Sequence, residues 1–222
     1  MRPTTRPSRW RVVAVLAVLI SVAAACTSGG DGDAEQAADV SVFQGREMPE
    51  YAQKPEFTLT DTDGNPYDFA AETAGDVTFL YFGYTYCPDV CPMHMAQLAA
   101  ILSKPGTPPN VTVVMVTVDP ERDTPEALRT FLDKFDSDFV GLTGTQEELA
   151  AAQEAVGVTV AVKEPNEDDP DEYTMGHAGQ VIAYAPNGLN YTQYPGQTRQ
   201  SVFSHDLPIL AGLTEPGAVP PE

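Results

Sequence analysis

The chain is poor in basic residues, and this scarcity excludes one large class of partner. Its 222 residues include 12 Lys and Arg against 32 Asp and Glu, for a formal net charge of −20. Because binding to nucleic-acid phosphates requires clustered Lys and Arg, we do not expect nucleic acid as a partner. The acidic surface is instead expected to be solvated and to keep the protein soluble.

Cysteine is scarce as well, with three residues in the chain. Cys26 directly follows an N-terminal apolar run, so only Cys87 and Cys91 remain for the folded part. A domain of about 150–170 residues buries a full core without disulfides, so the fold does not require these two thiols as a staple. They are also too few for a structural zinc site, which usually has four protein ligands.

The N-terminal apolar run, residues 12–25, is too short for a transmembrane helix, which needs about 20 residues. Four arginines precede this run within residues 1–11, and small residues end it. A basic region, a short apolar segment and small residues are typical of an export signal. We therefore predict that residues 1–25 are a signal peptide.

Cys26 follows this segment in the sequence VAAAC, which resembles a bacterial lipobox. The usual Leu three residues before the cysteine is Ala23 here. We predict that Cys26 is lipidated and that residues 26–50 form this anchor and a flexible linker, because the segment that follows is polar and Gly-rich. The expected location is the extracytoplasmic face of the cell membrane. The alternative is a soluble secreted protein in which Cys26 has no role.

The remaining sequence alternates between strand and helix patterns, which indicates an α/β fold. Expected strands cover residues 56–60, 77–83, 111–118, 158–163, 175–185 and 189–194. Expected helices cover residues 93–103, 124–135, 145–156 and 198–212. This order predicts a thioredoxin-like fold over residues 51–213, with a central mixed sheet flanked by helices and a β-hairpin before the C-terminal helix. Residues 164–172 are expected to form an exposed acidic loop, and residues 214–222 a disordered tail.

The motif CPDVCP at 87–92 lies directly after the first buried strand, where open α/β sheets carry their chemistry. Pro92 favours the first turn of a helix, so Cys91 is expected at a helix N-terminus, where it would be the thiolate. Cys87 would lie within disulfide distance of Cys91. Two thiolates favour Cu(I) or Zn(II), and an imidazole suits either copper or zinc. A structural disulfide is the alternative, because two nearby thiols outside the cytoplasm tend to oxidise.

Three segments resemble the motifs of the SCO/SenC family of copper chaperones. They are YTYCPDVCP at 84–92, VDPERDTPE at 118–126, and Y-x-M-x-H at 173–177. The resemblance implies that Cys87, Cys91 and His177 bind copper, as Cu(I) and in some states Cu(II). It also implies delivery of copper to the copper A centre of cytochrome c oxidase subunit II.

The resemblance implies a set of partners, and the chain departs from the family pattern at one place. The partners would be oxidase subunit II or another copper-requiring oxidase, a copper donor protein, and the membrane through the lipid. The family often has Asp and Ser beside the histidine, whereas this chain has Gly176 and Ala178. A carboxylate neighbour can fix the imidazole tautomer, so the departure is expected to affect copper affinity and oxidation-state preference.

Other residues near the motifs are weaker candidates. His94 is expected to be exposed, His205 to lie on the surface of the last helix, and the methionines beside His94 to fill the core. Asp89 is either a turn residue or a group that tunes the thiols. Two further carboxylates are expected either to cap the following helix or to approach the site; they are Asp119 and Asp123.

Three functions compete with copper delivery. The first is thiol–disulfide exchange, in which Cys87 and Cys91 would reduce the cysteines of the target copper site. The second is peroxide reduction, for which Thr85 is suitably placed before Cys87, although no arginine lies nearby in sequence. The third is an extracellular interaction protein with a vestigial site.

Overall fold

Two continuous apolar runs form the centre of the β-sheet in the computed structural model, which describes residues 41–166, 169 and 172–221. Strand β4 (Val77–Gly83) is buried along its whole length. It pairs in parallel with β5 (Val111–Thr117) through seven residue pairs, from Val77 opposite Val111 to Gly83 opposite Thr117. Strands covered on both faces are expected to be mostly apolar, and these two are, with threonine as their polar residue.

Eight strands form the main sheet, in the order β1-β10-β9-β4-β5-β6-β2-β3. Only β4, β5 and β6 are parallel to one another, and the outer pairings are antiparallel. The other main-sheet strands are β1 (Arg46–Gln53), β2 (Thr58–Asp61), β3 (Pro66–Asp68), β6 (Val140–Thr143), β9 (Val181–Tyr184) and β10 (Leu189–Tyr194). The predicted mixed sheet and its terminal hairpin, β9 and β10, are confirmed.

Helices flank this sheet. They are α1 (Phe69–Glu72), α2 (Val90–Leu102), α3 (Pro125–Leu132), α4 (Gln146–Val156) and α5 (Gln200–Ala211). Helices α3 and α4 begin where their capping residues indicate, whereas α1 was not expected from the sequence. The Thr124 hydroxyl caps α3, and Thr145 with Glu148 forms a capping box at α4. Gly157 ends α4 with a φ of 77°, a conformation that glycine adopts at low cost. None of the described helices is long and apolar enough to cross a membrane.

The expected linker up to residue 50 is wrong for its last part. Phe43 is buried and β1 begins at Arg46, at the edge of the sheet. The buried Asp206 carboxylate accepts hydrogen bonds from the backbone N–H groups of Gln44 and Gly45, both at 2.8 Å. The strand escapes sequence detection because it is an edge strand with an irregular register, so its side chains do not alternate cleanly.

The region around residues 158–185 also differs from the prediction. Strands β7 (Val162–Pro165) and β8 (Tyr173–Gly176) pair in a separate two-stranded sheet. The expected strand 175–185 is therefore two strands in different sheets, separated by residues 177–180. Glu164 and Pro165, at the start of the segment expected to be an acidic loop, belong to β7. Periodicity did not reveal the break, because β8 and β9 both contain residues that are common in strands.

The expected disordered tail is ordered in the described part. The Tyr191 hydroxyl donates a hydrogen bond to the carbonyl of Ala218 at 2.6 Å, and the Asn187 side-chain amide donates one to the carbonyl of Glu215 at 3.0 Å. A proline-rich composition disfavours helix and strand, but it does not prevent a chain from packing through its carbonyl groups. Glu222 lies outside the described residues.

Substitution of Asp206 by Ala is expected to lower the free energy of unfolding by about 3 kcal/mol, because two backbone N–H groups lose a charged acceptor. Chemical denaturation of the exported domain measures this loss. Asp133→Ala is the matched control, since it removes an exposed ion pair with Arg129 and is expected to cost less than about 1 kcal/mol. Equal effects of the two substitutions would contradict this role of Asp206.

Candidate metal centre

The two cysteines follow the carboxyl end of β4, one on the loop that leads to α2 and the other in the first turn of that helix. Cys91 is in the first turn of α2 and is completely buried, while Cys87 lies on the preceding loop with 8% of its surface exposed. Both are free thiols. Gly83 provides the space for Cys91: a Cβ at position 83 would lie 3.0 Å from the Cys91 sulfur and 2.5 Å from the Tyr81 ring.

His177 approaches the cysteines from a segment 86 residues after Cys91. It directly follows β8, in the segment that connects the small sheet to β9. Its Nε2 atom lies 3.8 Å from the Cys91 Sγ atom. The ligand atoms of Cys87, Cys91 and His177 all lie within 4.8 Å of one another, and no other cluster of three metal-ligating His, Cys, Asp or Glu side chains occurs in the part of the chain that is described.

The main chain supports His177 in the absence of an acidic neighbour. The Nδ1 atom of His177 lies 3.1 Å from the carbonyl oxygen of Ala178. A carbonyl only accepts hydrogen bonds, so Nδ1 carries a proton, and Nε2 is the ring nitrogen that faces the sulfurs. Position 176 contacts β7, since a Cβ there would collide with the side chain of Glu164. Although Gly176 and Ala178 offer no side-chain partner, the main chain therefore orients the imidazole.

Two tyrosines form the walls around the imidazole. The rings of Tyr81 and Tyr84 meet the His177 ring edge to face, at centroid distances of 6.0 and 5.6 Å. The Tyr81 hydroxyl also donates to the Cys91 sulfur at 3.2 Å. Sequence analysis did not single out Tyr81, although its position two residues before Gly83 places its side chain on the same face of β4.

The structure reverses the expected charge of the two thiols. The hydrogen bond from the Cys91 thiol outweighs the burial that opposes it and lowers the pKa of Cys87 to about 4. Burial raises the pKa of Cys91 far above its ordinary value. The expectation of a Cys91 thiolate is wrong because complete desolvation outweighs its helix position. The helix N-terminus acts on Cys87 instead, because the Cys91 backbone N–H donates a hydrogen bond to the Cys87 Sγ atom, with 3.5 Å between N and Sγ.

Asp123 braces the cysteine loop and does not cap α3. This completely buried carboxylate accepts hydrogen bonds from the Thr85 backbone at 3.0 Å and from the Thr85 and Thr117 hydroxyls, both at 2.6 Å. Its pKa is raised, mainly because it is buried. The carboxylate thus connects the end of β5 to the loop that carries Cys87.

Arg122 braces the histidine side of the site in a similar way. Its guanidinium lies 3.6 Å from the centroid of the Tyr173 ring and donates to the Tyr173 carbonyl at 3.0 Å. The same guanidinium pairs with Asp119, which also accepts from the Tyr173 hydroxyl at 2.9 Å. Arg122 was not a candidate from the sequence, although the VDPERDTPE segment contains it.

The other candidates lie outside the cluster. Met95 is completely buried in the core, as expected, and His205 is exposed beside Asp206. Asp89 is exposed and makes no side-chain cap to α2. His94 contradicts its prediction, because it is completely buried. Cys26 lies outside the described residues.

The fold and the site together define a class: a thioredoxin-like protein with two cysteines and one histidine converging at the end of a parallel strand. The family model of SCO1/SenC matches residues 46–211. The chain therefore belongs to the SCO1/SenC family, which confirms the resemblance seen in its motifs.

Relatives and solved structures agree with this assignment. A protein of Stutzerimonas stutzeri described as a putative copper-binding protein is 32% identical over 144 residues, which cover 64% of this chain and 68% of that protein. The mitochondrial SCO2 homologue of Mus musculus is 33% identical over 66% of this chain, and the match spans only 57% of that relative's length. The structure of Bradyrhizobium japonicum ScoI with copper bound has 31% identity and a TM-score of 0.61, and the match covers 71% of this chain and 98% of ScoI.

Alkylation by iodoacetamide is expected to be selective for Cys87, because the thiolate is the reactive form. The rate, followed by peptide mass spectrometry, should be constant at neutral pH and fall as the pH drops through about 4, where the Cys87 thiolate becomes protonated. Cys91→Ala should move this inflection to higher pH, since it removes the hydrogen bond that contributes most to the lowered pKa. Equal rates at the two cysteines would contradict the assignment.

Proposed function

We propose that this protein is an extracytoplasmic copper chaperone that delivers copper to the copper A centre of cytochrome c oxidase subunit II. One observation carries the proposal: the convergence of Cys87, Cys91 and His177 within 4.8 Å. Family membership supports it, since the motif resemblance implies this role and ScoI of Bradyrhizobium japonicum has been solved with copper bound.

The donor set favours copper as the cargo. Two sulfurs and one imidazole nitrogen are soft and borderline ligands, which suit Cu(I) and also accept Cu(II). Zinc in a structural site usually takes four protein ligands, and the cluster offers three. The protonated Nδ1 of His177 leaves Nε2 free to bind metal, in the arrangement common to metal-ligating histidines.

The site is built to hold copper and still release it. Cys91 is enclosed and fixed by the Tyr81 hydroxyl, whereas Cys87 lies nearer the surface beside Tyr86, whose side chain is 62% exposed. We infer that an incoming cysteine or histidine of the target first replaces Cys87, and that Cys91 and His177 leave the copper afterwards. The target's own ligands then complete the transfer.

The alternative function is reduction of the target's cysteines. The low pKa of Cys87 favours attack on a target disulfide, and Cys91 is placed to resolve the mixed disulfide. The target disulfide gains two electrons and two protons, while Cys87 and Cys91 become a disulfide. An exported thiol reductant would have to restore the pair.

The anchor proposal places Cys26 in the membrane through a lipid. The described chain begins just before β1, and β1 starts at Arg46 on the outer strand of the main sheet. Arg46 lines a cleft together with Gly179 and Gln180, which closely follow His177. The 19 residues between Cys26 and Arg46 reach at most about 65 Å when fully extended.

Mass spectrometry of the membrane-extracted protein is expected to find Cys26 as the N-terminal residue, carrying diacylglycerol. Cys26→Ser should release the domain from the membrane fraction and leave its thermal unfolding unchanged. An unmodified Cys26 in the mature wild-type protein would show that the anchor proposal is wrong.

Deletion of the gene is expected to remove the copper A signal from cytochrome c oxidase, as measured by electron paramagnetic resonance of the purified enzyme. The wild-type chain should restore the signal, and His177→Ala should not, because the third ligand is lost. His205→Ala is the control and should restore it, since His205 is exposed and lies outside the cluster.

The same strain separates delivery from reduction. Added copper should restore the signal if the protein supplies the metal, whereas an added thiol reductant should restore it if the protein reduces subunit II. Full copper A loading in the deletion strain without either addition would overturn both functions.

A further inference from the structure

A second histidine lies in the wall of the site without belonging to the ligand cluster. His94 is in α2, three residues after Cys91, and its side chain is completely buried. Its ring packs between Tyr81, at a centroid distance of 5.2 Å, and Phe203 of α5, at 6.2 Å. Burial of an imidazole in such apolar surroundings costs free energy unless its nitrogen atoms are hydrogen-bonded.

His94 makes one hydrogen bond, to the segment that carries His177. Its Nε2 atom lies 3.2 Å from the carbonyl oxygen of Gly179. The carbonyl can only accept, so Nε2 carries the proton. The Nδ1 atom is buried and has no hydrogen-bond partner among the described residues. The single bond is therefore the only polar contact that this side chain gains in exchange for its burial.

The hydrogen bond from His94 ends at Gly179, two residues after the proposed metal ligand His177. Gly179 directly follows Ala178, whose carbonyl holds the Nδ1 proton of His177. Fixing the Gly179 carbonyl limits rotation of the chain just after the group that orients the imidazole. The connecting segment belongs to neither sheet, so no strand pairing fixes it at this point.

We propose that His94 is a positioning residue for His177: it ties the 177–180 segment to α2 and so fixes the distance from the His177 Nε2 atom to the Cys91 sulfur. This inference rests on the proposed copper site. A ligand role for His94 is disfavoured, because the cluster of ligand atoms within 4.8 Å of one another in the described chain consists of Cys87, Cys91 and His177 and does not include His94.

A pair of conservative variants tests the bond itself. His94→Gln places an amide N–H near the original Nε2 and is expected to keep the bond, whereas His94→Asn is too short to reach Gly179. Cu(I) affinity of the reduced protein, measured by competition with a chromophoric Cu(I) chelator, should fall about tenfold in the Asn variant. The Gln variant should retain most of the wild-type affinity.

A double-mutant cycle separates positioning from a general effect on the fold. In a His177→Ala background, His94→Asn is expected to cause no further loss of Cu(I) affinity, because the group that it positions is gone. Gln97→Leu is the matched control, since it removes another unpartnered buried polar atom from α2 and should leave the affinity unchanged.

Each other outcome overturns the inference. An equal loss in both backgrounds would mean that His94 acts through the fold or the cysteines, and equal affinities of the Gln and Asn variants would mean that the bond is unimportant. A distinct result, in which His177→Ala alone leaves Cu(I) affinity unchanged, would overturn the three-ligand site itself and with it the proposed function.

Discussion

The parallel pairing of β4 with β5 is the constraint on which the site depends. It brings the carboxyl ends of two strands to one edge of the sheet, so that the cysteine loop and the loop after β5 meet. Asp123 then connects the two loops through Thr85 and Thr117. A buried carboxylate is costly unless its hydrogen bonds are complete, and here the same bonds that satisfy it hold the cysteine loop.

His177 depends on a different kind of support, because it enters from a segment between two sheets. Strands would have fixed its backbone through pairing, but the segment after Gly176 leaves the small sheet before β9 begins. Main-chain carbonyls take over this task, through Ala178 for the imidazole itself. A carbonyl carries no net charge, so it orients the imidazole through a hydrogen bond without an ion pair.

The sequence predicted the parts of the site that local signals encode. Buried strands have apolar runs, helix starts have capping residues, and the CPDVCP motif places Cys87 and Cys91 between the two. It did not predict contacts between distant segments, such as the pairing of β1 with β10 or the tie from His94 to Gly179. His94 looks like a surface residue in sequence, because the groups that enclose it come from distant segments, among them Tyr81 of β4 and Phe203 of α5.

The assignment of the thiolate shows why local reasoning fails at a coupled pair. A helix N-terminus favours a thiolate, and this argument pointed to Cys91. Complete burial reverses it, because the cost of desolvating a charge exceeds the benefit of the helix position. The neutral Cys91 thiol then stabilises its neighbour, so charge gathers on Cys87, the more accessible sulfur. Under either of the proposed functions, copper transfer or disulfide reduction, the first step would take place at that sulfur.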